Sequence, residues 1–277
     1  MLDFRNVIYT FDAFKPCEER SMNRLSLFWK KLFLCFCIMI IFIPSSAWAQ
    51  KVQSINLDLI PQRKVRHYIV EKEINSMDNY SEIHASWKDG VTDASKFRIH
   101  KKEFVVKDKL SNVWNCYKIA NPIDSWNGHF VRFALLISKQ TNSVMYTNND
   151  INFSEVDTGQ VYFLDLRLLK GLFNVPVAFE IIKVDTINKI MEFSYIDGNK
   201  SQGKQVLHFV DNGDGTTRII HQSYFRSDSR LRDDFFYPYF HTKIIREFHR
   251  NMRRLVTDMF DRQKDPLLGK KNTPLNN

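Results

Sequence analysis

The residues of this sequence most able to do chemistry are histidines. His241 sits four residues after Tyr237 and three before Ile244. At 100° per residue it shares one helical face with Tyr237, Ile244, Ile245, Phe248, Met252, Leu255, Val256 and Met259. An imidazole on such a face can orient the polar end of a ligand or move a proton. It can equally be a buried group satisfied by a strand carbonyl or by Tyr237, and this plainer reading is preferred. His208 and His221 fall on two runs read as paired strands, where they are expected to face each other. Two imidazoles can begin a metal site, but zinc needs at least three protein ligands, and no Cys, Asp or Glu follows at ligand spacing. His241 and His249 are about 80° apart in helical phase, which suits chelation poorly. No metal and no cofactor are expected.

Other motifs reduce to ordinary structure. Asp211-Asn-Gly-Asp-Gly-Thr216 begins like a calcium loop, but its third and fifth positions are Gly213 and Gly215, and its twelfth is Gln222. It reads as a turn. Arg226, Arg230 and Arg232, interleaved with Asp228, Asp233 and Asp234, suit a ligand gate or an anion site; a solvated, salt-bridged loop is the commoner outcome. Gly-x-Ser-x-Gly, a Cys/His pair with a third member and a phosphate-cradling glycine loop are all missing from the sequence. No catalytic residue is assigned.

The element that must position His241 is a long C-terminal helix. It is predicted to start at Tyr237-Pro238, since proline suits a first helical turn. Its other side carries Lys243, Arg246, Arg250, Arg253 and Arg254. That basic face is either the wet side of an amphipathic helix or a site of peripheral membrane contact. Upstream, alternation predicts strands at 160–168, with Tyr162, Leu164, Leu166 and Leu168 on one face, at 175–184, and at 190–196, with Met191, Phe193 and Tyr195 on one face. The runs 204–210 and 216–225 form a hairpin around Asp211–Gly215. Earlier, 97–106 reads as a strand. Leu110, Val113, Trp114 and Tyr117 read as a helix ended by Asn121-Pro122, with Cys116 off its apolar stripe. The stretch 141–152 reads as a polar connection, 50–95 as an N-terminal elaboration, and 263–277 as a polar tail. An antiparallel sheet with one apolar face must be covered, and the C-terminal helix has the matching stripe. One helix does not fill the concave side of a curved sheet, so a pocket is expected there.

This order resembles the START-like (SRPBCC, Bet v 1-type) helix-grip superfamily, which includes polyketide cyclases and lipid-transfer modules. The resemblance lies in Phe179-Glu-Ile-Ile-Lys-Val184, Met191-Glu-Phe-Ser-Tyr195, Gln202-Gly203, a hairpin, and Tyr237-Pro238 before the helix. It is nearest the DUF1990-type branch. It implies an α+β fold over 96–262: a curved antiparallel β-sheet gripping a long C-terminal α-helix, with an apolar cavity between them. The sequence departs from the family in the added 50–95 and in showing one helix where the family has two. The residues expected to line the cavity are Tyr162, Leu164, Phe193, Tyr195, His241, Ile244, Phe248 and Met252. The expected function is binding of an apolar or amphipathic small molecule, lipid or polyketide-like. The alternatives are a cyclase, dehydratase or hydrolase using the same cavity, and an interaction protein with a filled core.

The N-terminus reads as an export signal of bacterial type. Met22 opens a basic stretch with Arg24, Lys30 and Lys31; Leu32–Ile43 is an unbroken apolar run of 12 residues; Ala47-Trp48-Ala49 is a small-x-small cleavage site. A membrane-spanning helix needs about 20 residues. A signal peptide over 22–49 is therefore expected, with a periplasmic or secreted product. Residues 1–21 contain Asp3, Asp12, Glu18 and Glu19, which do not suit a signal, and read as an upstream extension from a start codon placed too early. Cleavage leaves a net charge of +7, with one cysteine, Cys116, and so no internal disulfide. Nucleic acid is not an expected partner.

Overall fold

The computed structural model describes residues 52–147 and 153–264. The expected signal peptide, the stretch 1–21 and the tail beyond Lys264 lie outside the described residues. Alternation builds the sheet. Its strands are β1 (Arg98–Val106), β2 (Val131–Ser138), β3 (Ser143–Tyr146), β4 (Gln160–Leu168), β5 (Phe173–Asp185), β6 (Ile190–Tyr195), β7 (Ser201–Asp211) and β8 (Thr217–Ser227). They form one curved antiparallel sheet in the order β1-β8-β7-β6-β5-β4-β2-β3. The helices are α1 (Arg63–Glu71), α2 (Leu110–Ile119), α3 (Pro122–Trp126) and α4 (Tyr237–Lys264).

Two cores share the sheet. Inward residues such as Phe133, Tyr162, Leu164, Phe179, Phe193, Leu207 and Ile219 pack with Phe248, Met252 and Val256 of α4 and with α2. Outward residues of β2–β5, including Ile137, Val161, Phe163 and Ala178, pack with Ile60, Val65, Ile69 and Ile74 of the N-terminal segment. Residues 52–95 thus contribute α1 and several single helical turns that cover the back of the sheet.

Several expectations are corrected. A second helix, α3, does lie between β1 and β2. Asn121-Pro122 ends α2 and also starts α3, because the Asn121 side chain accepts from Ile123 N and Pro122 occupies the first turn. The stretch 141–152 contains β3, paired to β2 from Leu135↔Tyr146 to Ser138↔Ser143. Cys116 is fully buried, since α2 is enclosed on more than one side: Val156 N donates to the Lys118 carbonyl at 2.7 Å. Burial pushes its thiol up to about 12. Helical winding begins before Tyr237, through one π-turn at Arg232–Phe236. Proline has no N–H and collides with the carbonyl four residues back, and a widened turn accommodates that at Pro238. His208 and His221 do not face each other: Leu207 pairs with His221, which puts His208 on the opposite, exposed face.

α4 is tied down by polar anchors. The buried Glu247 carboxylate accepts from His129 N at 2.6 Å and Phe130 N at 2.7 Å. Asn251 Nδ2 donates to the carbonyls of Ser125 and Asn127 at 3.1 and 3.0 Å. A Cβ on Gly128 would overlap the Glu247 carboxylate. Gly128→Ala should therefore expel that group from its two amides and cost about 2–4 kcal/mol in urea unfolding. Adding Glu247→Ala should leave the second change nearly without effect, because the interaction is already lost.

Candidate functional site

Between the N-terminal half of α4 and β4–β7 lies a cavity of about 560 Å³. Leu164 and Leu166 of β4, Val177 and Phe179 of β5, Phe193 of β6 and Ile244 of α4 make its apolar wall, and Trp126 of α3 closes its deep end. Its polar end is Tyr195, Gln205, Tyr237 and His241. Arg232, Lys200 and Ser229 line the side nearest the start of α4, along with Leu169, Phe173 and Phe236, three apolar side chains that are at least half exposed. Arg232 is held there by Asp228 at 3.0 Å and by the Lys200 carbonyl at 2.9 Å.

The polar end is the middle of a long hydrogen-bonded chain. Gln205 Oε1 lies 2.8 Å from His241 Nε2 and 2.7 Å from His221 Nε2. His221 Nδ1 is 2.9 Å from His249 Nε2, and His249 Nδ1 is 2.8 Å from the Tyr117 hydroxyl. In the other direction, His241 Nδ1 is 3.1 Å from His100 Nδ1, and His100 Nε2 is 3.1 Å from Thr242 Oγ1. A branch runs from Gln205 Nε2 to Tyr195 at 3.2 Å, on to Tyr237 at 2.8 Å and then to Ser223 at 2.7 Å. Aromatic stacking fixes the rings: Tyr237 on Phe225 and on His241, and Phe104 on His249.

Burial dominates the electrostatics of this chain. Desolvation holds the His221 and His241 imidazoles well below the usual histidine range, with neighbouring imidazoles adding to the effect. His249 is pushed down to about 3 by burial and by nearby Arg253. Half-buried His100 is lowered by desolvation and by Lys102. Burial raises Tyr195 to about 12 and Tyr237 well above its ordinary value. Three neutral imidazoles and neutral phenols line and support the cavity end. Among the described residues, no group of three His, Cys, Asp or Glu is placed to hold a metal ion.

Five of the eight residues expected in the pocket, Leu164, Phe193, Tyr195, His241 and Ile244, border the large cavity. Tyr162, Phe248 and Met252 do not. They lie behind Trp126, which stacks on Phe248 with ring centroids 4.3 Å apart, and they border a void of only about 40 Å³. A shared face specifies direction and not depth along the axis, so the helical face did not separate Phe248 and Met252 from His241, nor the strand face Tyr162 from Leu164. Tyr237 was expected beside His241 and stacks on its ring, but sequence reasoning missed His100 and Gln205 as the hydrogen-bond partners of His241, and His221 with His249 beyond them. The signal was present: inward positions of β8 read Thr217, Ile219, His221, Ser223, Phe225, and those of β7 read Gly203, Gln205, Leu207, Phe209. Polar groups at facing inward positions of neighbouring strands mark a network.

A curved antiparallel sheet closed around one long C-terminal helix, with two short helices between β1 and β2 and a cavity beneath, defines a helix-grip protein. This is the helix-grip architecture that the resemblance to START-like, Bet v 1-type proteins led one to expect. No protein-family model matches the sequence, and no curated protein matches it. Among solved structures, norcoclaurine synthase from Thalictrum flavum, in complex with dopamine and hydroxybenzaldehyde, is similar with a TM-score of 0.44 at 15% identity, covering 62% of this chain and 94% of that one. Ara h 8.0201 is similar with a TM-score of 0.42 at 11% identity, over 58% of this chain and 99% of that one. A protein from Thermus thermophilus gives a TM-score of 0.40 at 8% identity, over 58% of this chain and 99% of that one.

Proposed function

We propose that this chain is an exported helix-grip protein that holds an apolar or amphipathic small molecule, lipid or polyketide-like, between sheet and helix. The observation that carries the reading is the cavity of about 560 Å³, walled by aliphatic and aromatic side chains and ending in one cluster of neutral polar groups. That is the usual make-up of a small-ligand site. Burial of an apolar tail there contributes about 25 cal/mol per Å², and Tyr195, Gln205 and His241 orient the head. A filled core, the requirement of a pure interaction protein, is opposed by the same cavity. An enzymatic reading needs a second titratable group reaching His241 inside the cavity; the group within reach, His100, does not border it. Peripheral membrane contact through Arg246, Arg250, Arg253 and Arg254, all exposed on α4, belongs to the same proposal.

Native mass spectrometry of the full chain, purified from a host rich in membranes, tests it. A reproducible small-molecule adduct is expected. Val177→Trp places an indole in the empty space and should abolish the adduct while moving the melting temperature by no more than about 4 °C. A bare mass, together with no perturbation of an apolar fluorescent probe, would sink the reading.

A further inference from the structure

The four-histidine chain admits two opposite orders of its hydrogens, and they differ at the cavity. In the first order, Gln205 turns its carbonyl to the histidines. His221 and His241 donate from Nε2 to Gln205 Oε1, His249 Nε2 donates to His221 Nδ1, and the Tyr117 hydroxyl donates to His249 Nδ1. His100 Nδ1 then donates to His241 Nδ1. The Gln205 amide nitrogen spends one hydrogen on Tyr195 and has one left over. This order meets a conflict at its outer end. His100 Nε2 faces Thr242 Oγ1, whose single hydrogen goes to the Pro238 carbonyl at 2.6 Å. Two lone pairs confront each other unless His100 carries a second proton, in which case it donates on both sides.

In the second order, a half-turn of the Gln205 amide exchanges its nitrogen and oxygen, and every hydrogen in the chain reverses. The amide nitrogen donates to both Nε2 atoms. His221 donates to His249, His249 to Tyr117, His241 to His100, His100 to Thr242, and Thr242 to Pro238. The Tyr195 hydroxyl donates to the amide oxygen, which has a lone pair left over. The Tyr117 hydroxyl accepts from His249 here and its own hydrogen is left over; every other group is satisfied with His100 neutral. The heavy atoms stay where they are, and the two orders differ by one proton at His100.

Resting on the binding role proposed above, we infer that His100 and Gln205 form a proton-coupled selector for the head group of the ligand. With His100 protonated, the cavity end offers a free N–H and takes heads that only accept hydrogen bonds, such as a ketone or ester carbonyl. With His100 neutral, the same position offers a free oxygen lone pair and takes heads that donate, such as a hydroxyl. Linkage makes this reciprocal: binding an accepting head draws a proton onto His100. The titratable and charged groups facing His100 are Lys102 from its own strand, His221 of β8 and His241 of α4, with the Arg98–Asp234 pair joining β1 to the π-turn. Lys102 and burial both favour the neutral form, so the change falls on the acid side of the ordinary histidine range.

Two measurements test this. Nitrogen-detected NMR of the imidazoles reads the tautomers of the ligand-free protein. At about pH 8, His221, His241 and His249 should all carry hydrogen on Nδ1, and as His100 titrates all three should move together to Nε2. Tautomers that stay fixed while His100 titrates, or that change one at a time, overturn the selector. Calorimetry then compares methyl nonyl ketone with undecanol in buffers of different ionisation heat. The ketone should bind with uptake of up to one proton and tighten by up to about tenfold per pH unit on acidification through the His100 titration. Undecanol, which both donates and accepts, should show no uptake. His100→Asn should bind the ketone with no pH dependence. Ketone binding without proton uptake overturns the selector and leaves the cavity reading standing. Failure of both probes to bind overturns the cavity reading, whatever the tautomers do.

Discussion

Mild acid should unfold this protein well before its carboxylates protonate. In the folded state His221, His241 and His249 are held neutral by burial, His249 down to about 3. Unfolded, each returns to about 6.5. Below that value the unfolded chain binds more protons than the folded one, so their contribution is present above about pH 6.5 and lost as pH falls toward the folded values. Each proton is worth about 1.4 kcal/mol per pH unit, so three together remove about 4 kcal/mol per unit between about pH 6 and 4. Typical domains have about 5–15 kcal/mol in all. The carboxylates whose folded values are lowered, Asp89, Asp93, Asp185 and Asp214, are lost only at more acid pH. Asp165, raised by burial, shifts the balance the other way. Urea unfolding measured at half-unit steps of pH should show this slope, and His249→Gln should reduce it by about a third. A stability that stays flat from about pH 6.5 to about pH 4.5 would show that the chain accepts protons while folded.

How much of this was legible depended on what covers each element. β4 alternates in its second half, Leu164-Asp165-Leu166-Arg167-Leu168, and that alternation marks it as a strand. β2 does not alternate: Phe133 to Ile137 is buried on both faces, because the N-terminal segment packs on its outer side. A strand covered on both faces loses the period of two that marks strands in sequence. β3 has four residues and α3 five, too few for any period to show. The elaboration that hid β2 was itself unreadable, since its helical turns are mostly of three residues and gain their order from the sheet they cover. Within the site, His241 and Tyr195 were visible because each lies on a recognisable face. Their partners were not, since His100, Gln205 and His221 come from three strands and meet only when β1, β8 and β7 are neighbours. His249 lies outside the apolar stripe of α4 and is nonetheless fully buried, because Phe104 of β1 and Tyr117 of α2 close over it. The buried arc of the helix is wider than its apolar stripe, and the excess consists of the polar residues that tie the fold together: Glu247, His249 and Asn251.

The largest effect of a single methyl group should fall at Gly203, two residues before Gln205 on β7. Its φ of +121° is a conformation that side chains rarely adopt, and an added Cβ would overlap the Tyr224 carbonyl on β8. The obstacle is backbone, so no side chain can turn aside to relieve it. Gly203 N also donates to Ser86 Oγ at 3.0 Å, and its carbonyl accepts from Ser194 Oγ at 3.1 Å, which couples the position to the N-terminal segment and to β6. Gly203→Ala should therefore force β7 away from β8 and destabilise by about 4 kcal/mol or more in urea unfolding. Any folded fraction should lose the common tautomer order of His221 and His241, since the shift carries Gln205 with it. Gly213, in the turn of the same hairpin, separates strain from collision: its φ is +78° and nothing lies within 4 Å of an added Cβ. Gly213→Ala should cost only about 1–2 kcal/mol, the ordinary penalty for a left-handed side chain. If the two substitutions proved equally costly, the backbone conformation alone would be the cause, and the close approach of β7 to β8 at Gly203 would not be what holds Gln205 in register with His221.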